Sequence, residues 1–333
     1  MSQAEAATDL DAAIIRGAEA IGGHVAAARA AVGEVIFGQD KVVDHALLTV
    51  LCGGHALLVG VPGLAKTKLV ETMGTVLGLD ARRVQFTPDL MPGDIIGSNL
   101  FNFQTSTFAL TRGPVFCELL LADEINRTPP KTQAALLEAM QERRITIDGR
   151  TEHLSDRFTV VATQNPIEQQ GVYPLPEAQL DRFLFKIAIG WPSLDAERAI
   201  VAQYGSRTGT PAPQDSGVAQ VADGGAIAAA IDAVGQVRLV DEVIDYIVRL
   251  IRATREHGDL SSGASPRAAS ALAAAARAGA ALDGRDYVIP DDVKALAPAL
   301  LRHRLILSPS AEIDGRRVDD VVASLIASVE APR

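Results

Sequence analysis

The sequence predicts an α/β fold: a mostly parallel sheet with helices on both faces, followed by a separate all-helical unit. Short apolar runs alternate with helical patterns as far as Ile189, the rhythm of a covered parallel sheet. A glycine-rich turn ending in Lys-Thr follows directly on the first of those runs. After Ile189–Gly190–Trp191–Pro192 the strand-like runs stop and only helical patterns follow.

Along the chain, Leu10, Ile14, Ala18, Ile21, Val25, Ala28 and Val32 recur at helical spacing. Gly22–Gly23 and Gly33 interrupt them, so one rod and a helix pair are equally compatible. Asp40 can cap a second helix running through Leu51. The predicted strands are Ala56–Val59, Val84–Phe86, Cys117–Ala122, Thr159–Thr163 and Phe183–Ile187, with helices over Thr67–Leu77 and Pro130–Arg143 between them. Two hairpins interrupt this alternation. Asn99–Phe103 and Phe108–Thr111 flank Gln104–Thr107, and Ile145–Ile147 and Arg150–Leu154 flank Asp148–Gly149, a two-residue turn pair that favours tight hairpins. Ser193 opens the next helix, and Gly205–Gly225 has the composition of a loop. The rest is helical: Ile227–Val234, Asp241–His257, Pro266–Leu282, Pro290–His303 and Val318–Val329. The expected domains are 1–192 and 193–333, in line with a length of 333 residues at about 150 per domain.

Composition removes several function classes. Apolar residues make up 48% and charged residues 22%, an ordinary globular balance. With 31 Lys and Arg against 41 Asp and Glu, the net charge of −10 leaves no bulk basic footprint for nucleic acid. The longest apolar stretch, Ala46–Val61, is broken by Gly53, Gly54 and His55 and falls short of the roughly 20 residues a span needs. Met1–Ala12 is polar and acidic with no basic stretch, so no signal peptide is expected. Cys52 and Cys117 lie in apolar runs and read as small core residues, and the histidines have no metal-ligand spacing. These features lead us to expect a cytoplasmic protein.

Two segments carry chemistry. Gly60-Val61-Pro62-Gly63-Leu64-Ala65-Lys66-Thr67 fits G-x-x-x-x-G-K-[ST] with Ala65 in place of the second glycine. Such a turn aims successive backbone N–H groups at phosphate oxygens at a helix N-terminus. Lys66 then reaches the outer phosphates and Thr67 ligates Mg²⁺. The Ala65 methyl is tolerable where that position keeps a negative φ. In Glu118-Leu119-Leu120-Leu121-Ala122-Asp123-Glu124, an apolar strand ends in two carboxylates, costly to bury unless they serve a cation or a proton transfer. Asp123 suits Mg²⁺, and Glu124 suits polarising a water for attack on the γ-phosphate.

With these residues in place the chain resembles an AAA+ ATPase of the MoxR family. The likeness also rests on Phe37-Gly38-Gln39, on Gln85-Phe86-Thr87-Pro88-Asp89-Leu90, and on Leu121 through Arg127. It continues through Ala134-Ala135-Leu136-Leu137-Glu138-Ala139-Met140-Gln141-Glu142 and Ala162-Thr163-Gln164-Asn165-Pro166. The resemblance implies an AAA+ P-loop core of five parallel strands in the order 5-1-4-3-2, with an all-helical lid. It makes the Ala65 variant of the loop usual. It implies ATP and Mg²⁺ as cofactors, held by Phe37, Gly38, Gln39, Gly60, Val61, Pro62, Gly63, Leu64, Ala65, Lys66, Thr67, Lys68 and Asp123, with Thr67 and Asp123 on the metal. Besides Lys66 and Glu124, it assigns catalytic roles to Asn165 (sensor 1), Arg182 (a finger toward a neighbour's γ-phosphate) and Arg267 (sensor 2, over the phosphates from the lid). The hairpins are similar to the helix-2 insert and pre-sensor-1 hairpin of the branch containing magnesium chelatase and MCM motors.

The function this implies is a ring ATPase, hexameric by resemblance, that remodels or matures a protein with a von Willebrand factor A domain, with metal or cofactor insertion as one outcome. The rivals are a nucleotide-gated scaffold and an MCM-like nucleic-acid motor. Arg143, Arg144 and Arg150 could touch nucleic acid, although the net charge favours solvated or intersubunit roles.

Overall fold

The computed structural model describes residues 20–103, 106–166, 171–206 and 218–332. The predicted Leu10–Ala18 helical repeat and part of Gly205–Gly225 lie outside them. Helix α1 (20–33) precedes α2 (Asp40–Leu51), β1 (Ala56–Val59) and α3 (Lys66–Leu77). Next come β2 (Ala81–Gln85), α4 (Pro92–Ile96), the hairpin β3 (Gly97–Asn102) and β4 (Thr107–Arg112), and β5 (Leu119–Asp123). Then follow α5 (Pro130–Glu142), the hairpin β6 (Arg144–Ile147) and β7 (Arg150–His153), β8 (Thr159–Gln164), α6 (Glu177–Leu180) and β9 (Phe185–Ala188).

The central sheet is parallel, in the order β2-β5-β8-β1-β9. Counting only these strands along the chain, that is 5-1-4-3-2, as expected. Its inner strands read as unbroken apolar runs because both of their faces are buried. Ala56, Leu58, Leu119, Leu121 and Val161 join one core; their neighbours Leu57, Leu120, Ala122, Val160 and Ala162 join the other. Deleting such a side chain, as in Leu57→Ala, costs about 2–5 kcal/mol. The first core is closed by α2 and α3 and by helices of the C-terminal region, through Leu250, Leu272 and Leu300 among others. The second is closed by Leu136, Leu137 and Met140 of α5 and by Ile145 and Ile147 of the second hairpin.

Strand β2 corrects the expectation of a strand over Val84–Phe86. It begins at Ala81 and carries Arg82 and Arg83, which an edge strand with mostly exposed side chains accommodates. The hairpins form where predicted. Asp148 (φ 49°) and Gly149 (φ 80°) both take the left-handed conformation that a tight turn requires. The two hairpins are tied together: Asn99 Nδ2 donates to Asp148 Oδ2 at 2.8 Å, and Arg112 pairs with Glu152 at 3.5 Å. On the first, Phe101 packs edge-on against Phe103 and Phe108 with ring centres 5.1 Å apart, and all three rings are exposed.

The C-terminal region holds α7 (Leu194–Tyr204), α8 (Gly224–Gln236), α9 (Asp241–Glu256), α10 (Pro266–Leu282), α11 (Pro290–Leu301), α12 (Pro309–Ile313) and α13 (Val318–Ser328). The Ser193 hydroxyl accepts from Ala196 N–H, as a helix cap should. The lid departs from the all-helical expectation in one antiparallel ladder, β10 (Leu260–Ser262) with β11 (Ile306–Leu307). These segments are too short and too mixed to carry a strand pattern. Arg143, at φ 49° just past α5, donates to Gly53 O and Asp156 O. Its guanidinium is engaged inside the fold, which differs from the solvated or intersubunit role favoured for it and leaves it badly placed for the nucleic-acid contact considered as the alternative. Arg144 pairs with Glu142 at 3.2 Å.

Candidate nucleotide site

A cleft of about 900 Å³ opens at the C-terminal edge of the sheet, where ligands bind in open α/β folds. The turn after β1 feeds α3, so the first N–H groups of a 12-residue helix face it. Lys66 Nζ donates to Gly60 O at 2.6 Å, folded back across its own loop. Ala65 stands at φ 55°, ψ 21°, in the left-handed region. The negative φ that would make its methyl tolerable is therefore not adopted, and the conformation costs about 1–2 kcal/mol. The loop's requirement to aim its N–H groups inward overrides the preference of one residue.

The carboxylates stand opposite. Thr67 Oγ1 lies 3.4 Å from Asp123 Oδ2, a hydroxyl and a carboxylate placed to share one hard cation. Asp123 Oδ1 accepts from Thr163 Oγ1 at 2.6 Å, and that hydroxyl accepts from Glu124 N–H at 2.8 Å. One β8 hydroxyl thus fixes both acids. Glu124 is also left-handed (φ 57°, ψ 49°), which turns its side chain out of the strand line. Its Oε2 accepts from Gln85 Nε2 at 2.7 Å and Arg127 Nη1 at 2.9 Å. Behind it, buried Gln133 donates to Ile125 O, Thr128 O and Tyr173 O, pinning the loop that follows.

Of the sequence-predicted residues, Phe37, Gln39, Pro62, Gly63 and Leu64 line the cleft, as do Ala65, Lys66, Thr67 and Lys68. Asp123, Glu124 and Asn165 complete that set. Gly38, Gly60 and Val61 do not line it. Gly38 takes φ 66°, and Gly60 supplies the carbonyl that Lys66 meets. Phe37 packs edge-on against Tyr204 at 6.5 Å, and the Tyr204 hydroxyl is buried with no partner among the described residues. An aromatic wall with an open hydroxyl fits a nucleobase. Sequence reasoning missed Tyr204, Arg83, Gln85 as a contact of Glu124, and Thr163 as the hydroxyl between the acids. Arg83 Nη2 lies 2.8 Å from Asp123 Oδ2 and 3.0 Å from Gln85 Oε1. Thr163 had one signal, a hydroxyl near the end of an apolar run; Arg83 had none without the β2–β5 register.

Arg182 and Arg267 are not in this cleft. Both line a second cavity of about 310 Å³ at the opposite, N-terminal edge of the sheet, with Arg143 and Arg304. Its other walls are Gly53–His55, just before β1, and the segment entering β9. Arg182 Nη1 donates to Leu137 O there. The resemblance puts Arg267 over the phosphates without a choice between its own chain's and a neighbour's; α10 starts at the N-terminal edge of the sheet, away from its own chain's cleft. Two buried histidines stiffen the same edge. His55 Nδ1 accepts from Val160 N–H at 3.0 Å, which leaves Nε2–H to donate to Met140 O at 3.1 Å, and burial pushes its pKa down to about 4. His303 Nε2 lies 2.9 Å from Phe183 O; burial, then the Arg304 charge, push its pKa down to about 3.

Comparison with known proteins fits this layout. Residues 55–185 match the ATPase family associated with various cellular activities (AAA), and residues 252–325 match the AAA lid domain. The chain is 44% identical to "Chaperone MoxR1" of Mycobacterium tuberculosis, over 95% of this chain and 85% of that protein. It is 32% identical to "Protein MoxR" of Paracoccus denitrificans, over 86% and 89% respectively. A crystal structure from Cytophaga hutchinsonii, described as that of an ATPase candidate, superposes with a TM-score of 0.87 at 36% identity, covering 96% of this chain and 98% of that one.

Proposed function

The chain belongs to the MoxR family of AAA+ ATPases, and on that premise we propose that it hydrolyses ATP with Mg²⁺ in a ring of its own copies and remodels a partner protein. The ATPase reading is carried by the convergence on one cleft of the Lys66 ammonium, the Thr67–Asp123 pair and Glu124. The N–H groups at the start of α3 bind phosphate oxygens, and Lys66 leaves Gly60 O to neutralise the outer phosphates. Thr67 and Asp123 fit Mg²⁺, which when bound supplies charge neutralisation at the phosphate oxygens. Glu124, held by Gln85 and Arg127, orients and polarises the attacking water, with Asn165 beside it.

Arg182 and Arg267 serve the site of an adjoining copy. Four-residue β1 alone separates the two sheet edges by roughly 13 Å, which is why neither side chain reaches its own cleft. A contact that presents one edge to the other is head-to-tail and closes as a ring when the rotation allows, six copies by family likeness. We treat residues 1–192 as the core and 193–333 as the lid, and place the work in the cytoplasm. The partner is a protein with a von Willebrand factor A domain, met by the linked hairpins with their exposed phenylalanines; metal or cofactor insertion is one service the ring would perform.

The test separates binding from chemistry. Lys66→Ala should weaken ATP binding and abolish turnover, whereas Glu124→Gln should keep binding and lose about 10²–10⁴ in kcat. Equal loss of binding in both would contradict these roles. An ATP-locked Glu124→Gln ring should retain a von Willebrand factor A protein, and shortening the Asp148–Gly149 turn should reduce that retention. Retention of DNA or RNA instead would favour a nucleic-acid motor.

A further inference from the structure

Arg304 follows α11 in the lid, and its side chain is only 4% exposed. Its guanidinium is spread over one short piece of the core. Nε donates to Asp181 Oδ1 at 2.7 Å, Nη1 to Leu184 O at 3.1 Å, and Nη2 to Phe183 O at 2.8 Å and Asp181 O at 3.3 Å. A further bond reaches Leu300 O in the last turn of α11. The neighbouring His303 also touches Phe183 O. The segment Asp181–Leu184 is therefore bracketed from the lid on both sides of Arg182, whose own guanidinium reaches Leu137 O.

This arrangement is hard to explain as stability alone. A buried guanidinium pair contributes little that apolar residues of similar volume could not supply. What it provides is direction: a rigid fork fixes several acceptors at once, whereas an ammonium on a flexible stem cannot. The acceptors it fixes are the backbone carbonyls and the carboxylate flanking one arginine. Arg267, at the start of α10, lines the same cavity, so lid and core present their two arginines as one face.

We propose that Arg304 is a positioning residue that holds the Asp181–Leu184 segment against the lid, so that Arg182 reaches the active site of the next copy. This rests on Arg182 acting in trans, as in the preceding section. Arg304 touches neither the nucleotide cleft nor the reacting atoms. Its loss should therefore damage a subunit as a donor of the finger and leave it intact as a holder of ATP.

Subunit mixing tests this. Arg304→Met alone should bind ATP within about twofold of the unsubstituted ring and lose about 10²-fold in kcat with little change in KM, as a displaced catalytic group does. Mixed with Lys66→Ala, which holds a sound finger beside a dead cleft, Arg304→Met should recover hydrolysis. Mixed with Arg182→Ala it should not recover, because every interface then has a sound cleft and a defective finger. Arg304→Lys, a milder change in the same place, should fall in the same class with a smaller loss and guards against a folding defect in the methionine variant. Recovery with Arg182→Ala would overturn the proposal. So would weakened ATP binding by both Arg304 variants, or no recovery with Lys66→Ala where Arg182→Ala recovers and co-assembly is demonstrated. A fully active Arg182→Ala ring would instead remove the trans finger beneath the proposal, a result distinct from all of these.

Discussion

At its C-terminal edge the central sheet presents Lys66, Thr67, Asp123 and Glu124 around a cleft of about 900 Å³; at its N-terminal edge Arg143, Arg182, Arg267 and Arg304 surround a cavity of about 310 Å³. The first edge mixes acids and bases, its charged groups all on the core, with Tyr204 of α7 in its wall. The second is dominated by arginines and made jointly by core and lid. The two sets are separated by the length of a strand, and under the function proposed above they would be halves of one phosphoryl-transfer site that meet between copies. Parallel strands make this possible, because every strand contributes its beginning to one face and its end to the other.

The largest expected effect breaks the N-terminal edge alone. Arg182→Ala should lower kcat by about 10³–10⁵ while ATP affinity stays unchanged, since the cleft is untouched. Mixed with Lys66→Ala, each inactive alone, it should regain hydrolysis at interfaces where both halves are sound. Co-assembled rings that stay inactive would mean that Arg182 acts within its own chain or not at all.

Acid should also act first on that edge, by a smaller amount. His55 and His303 stay neutral in the fold, with pKa values near 4 and 3, whereas in the unfolded chain they titrate near 6.5. Between about pH 6.5 and 4 the unfolded chain therefore holds protons the native chain refuses, and stability falls as pH falls. From pH 7 to pH 5 each histidine should remove roughly 2 kcal/mol. Urea titrations at both values would measure this. His55→Gln should be less stable at pH 7 yet lose about 2 kcal/mol less on acidification. An identical loss in both proteins would mean that His55 is not held neutral.

What was legible in the sequence follows the same division. The C-terminal edge could be read because its chemistry is local: a phosphate loop within eight residues, two adjacent acids at a strand end, and asparagine at another. Leu119–Ala122 announced itself by being apolar throughout, and the Asp148–Gly149 turn by its dipeptide. The N-terminal edge is non-local. Arg304 lies 123 positions from Asp181, and only the docking of α11 beside β9 brings them together. Resemblance could name Arg182 and Arg267, but nothing in their spacing said that they share a cavity or on which side it lies. Even at the legible edge, Arg83 was hidden because β2 is an edge strand whose Ala-Arg-Arg start has no strand pattern, and because its contact with Asp123 depends on register with β5.

The smallest effect sharpens the comparison from the C-terminal side. Ala65 is the one place where the phosphate loop departs from glycine, and the fold holds it at φ 55°. A Cβ in that conformation is strained by about 1–2 kcal/mol, and a glycine there is not. Glycine recovers less than this because it also frees the unfolded chain, by about 0.4–1 kcal/mol. Ala65→Gly should thus raise stability by about 0–1.6 kcal/mol, centred near 1 kcal/mol. ATP affinity should hold, because the inward N–H groups are kept. Urea unfolding, with nucleotide titration alongside, would measure both. A variant less stable than the parent would place Ala65 at negative φ in solution, and the loop would then need another residue to turn its N–H groups toward phosphate. A gain in stability at equal affinity would mean that the C-terminal edge carries strain in the loop that grips phosphate, and that the loop's N–H groups do not depend on the Ala65 methyl.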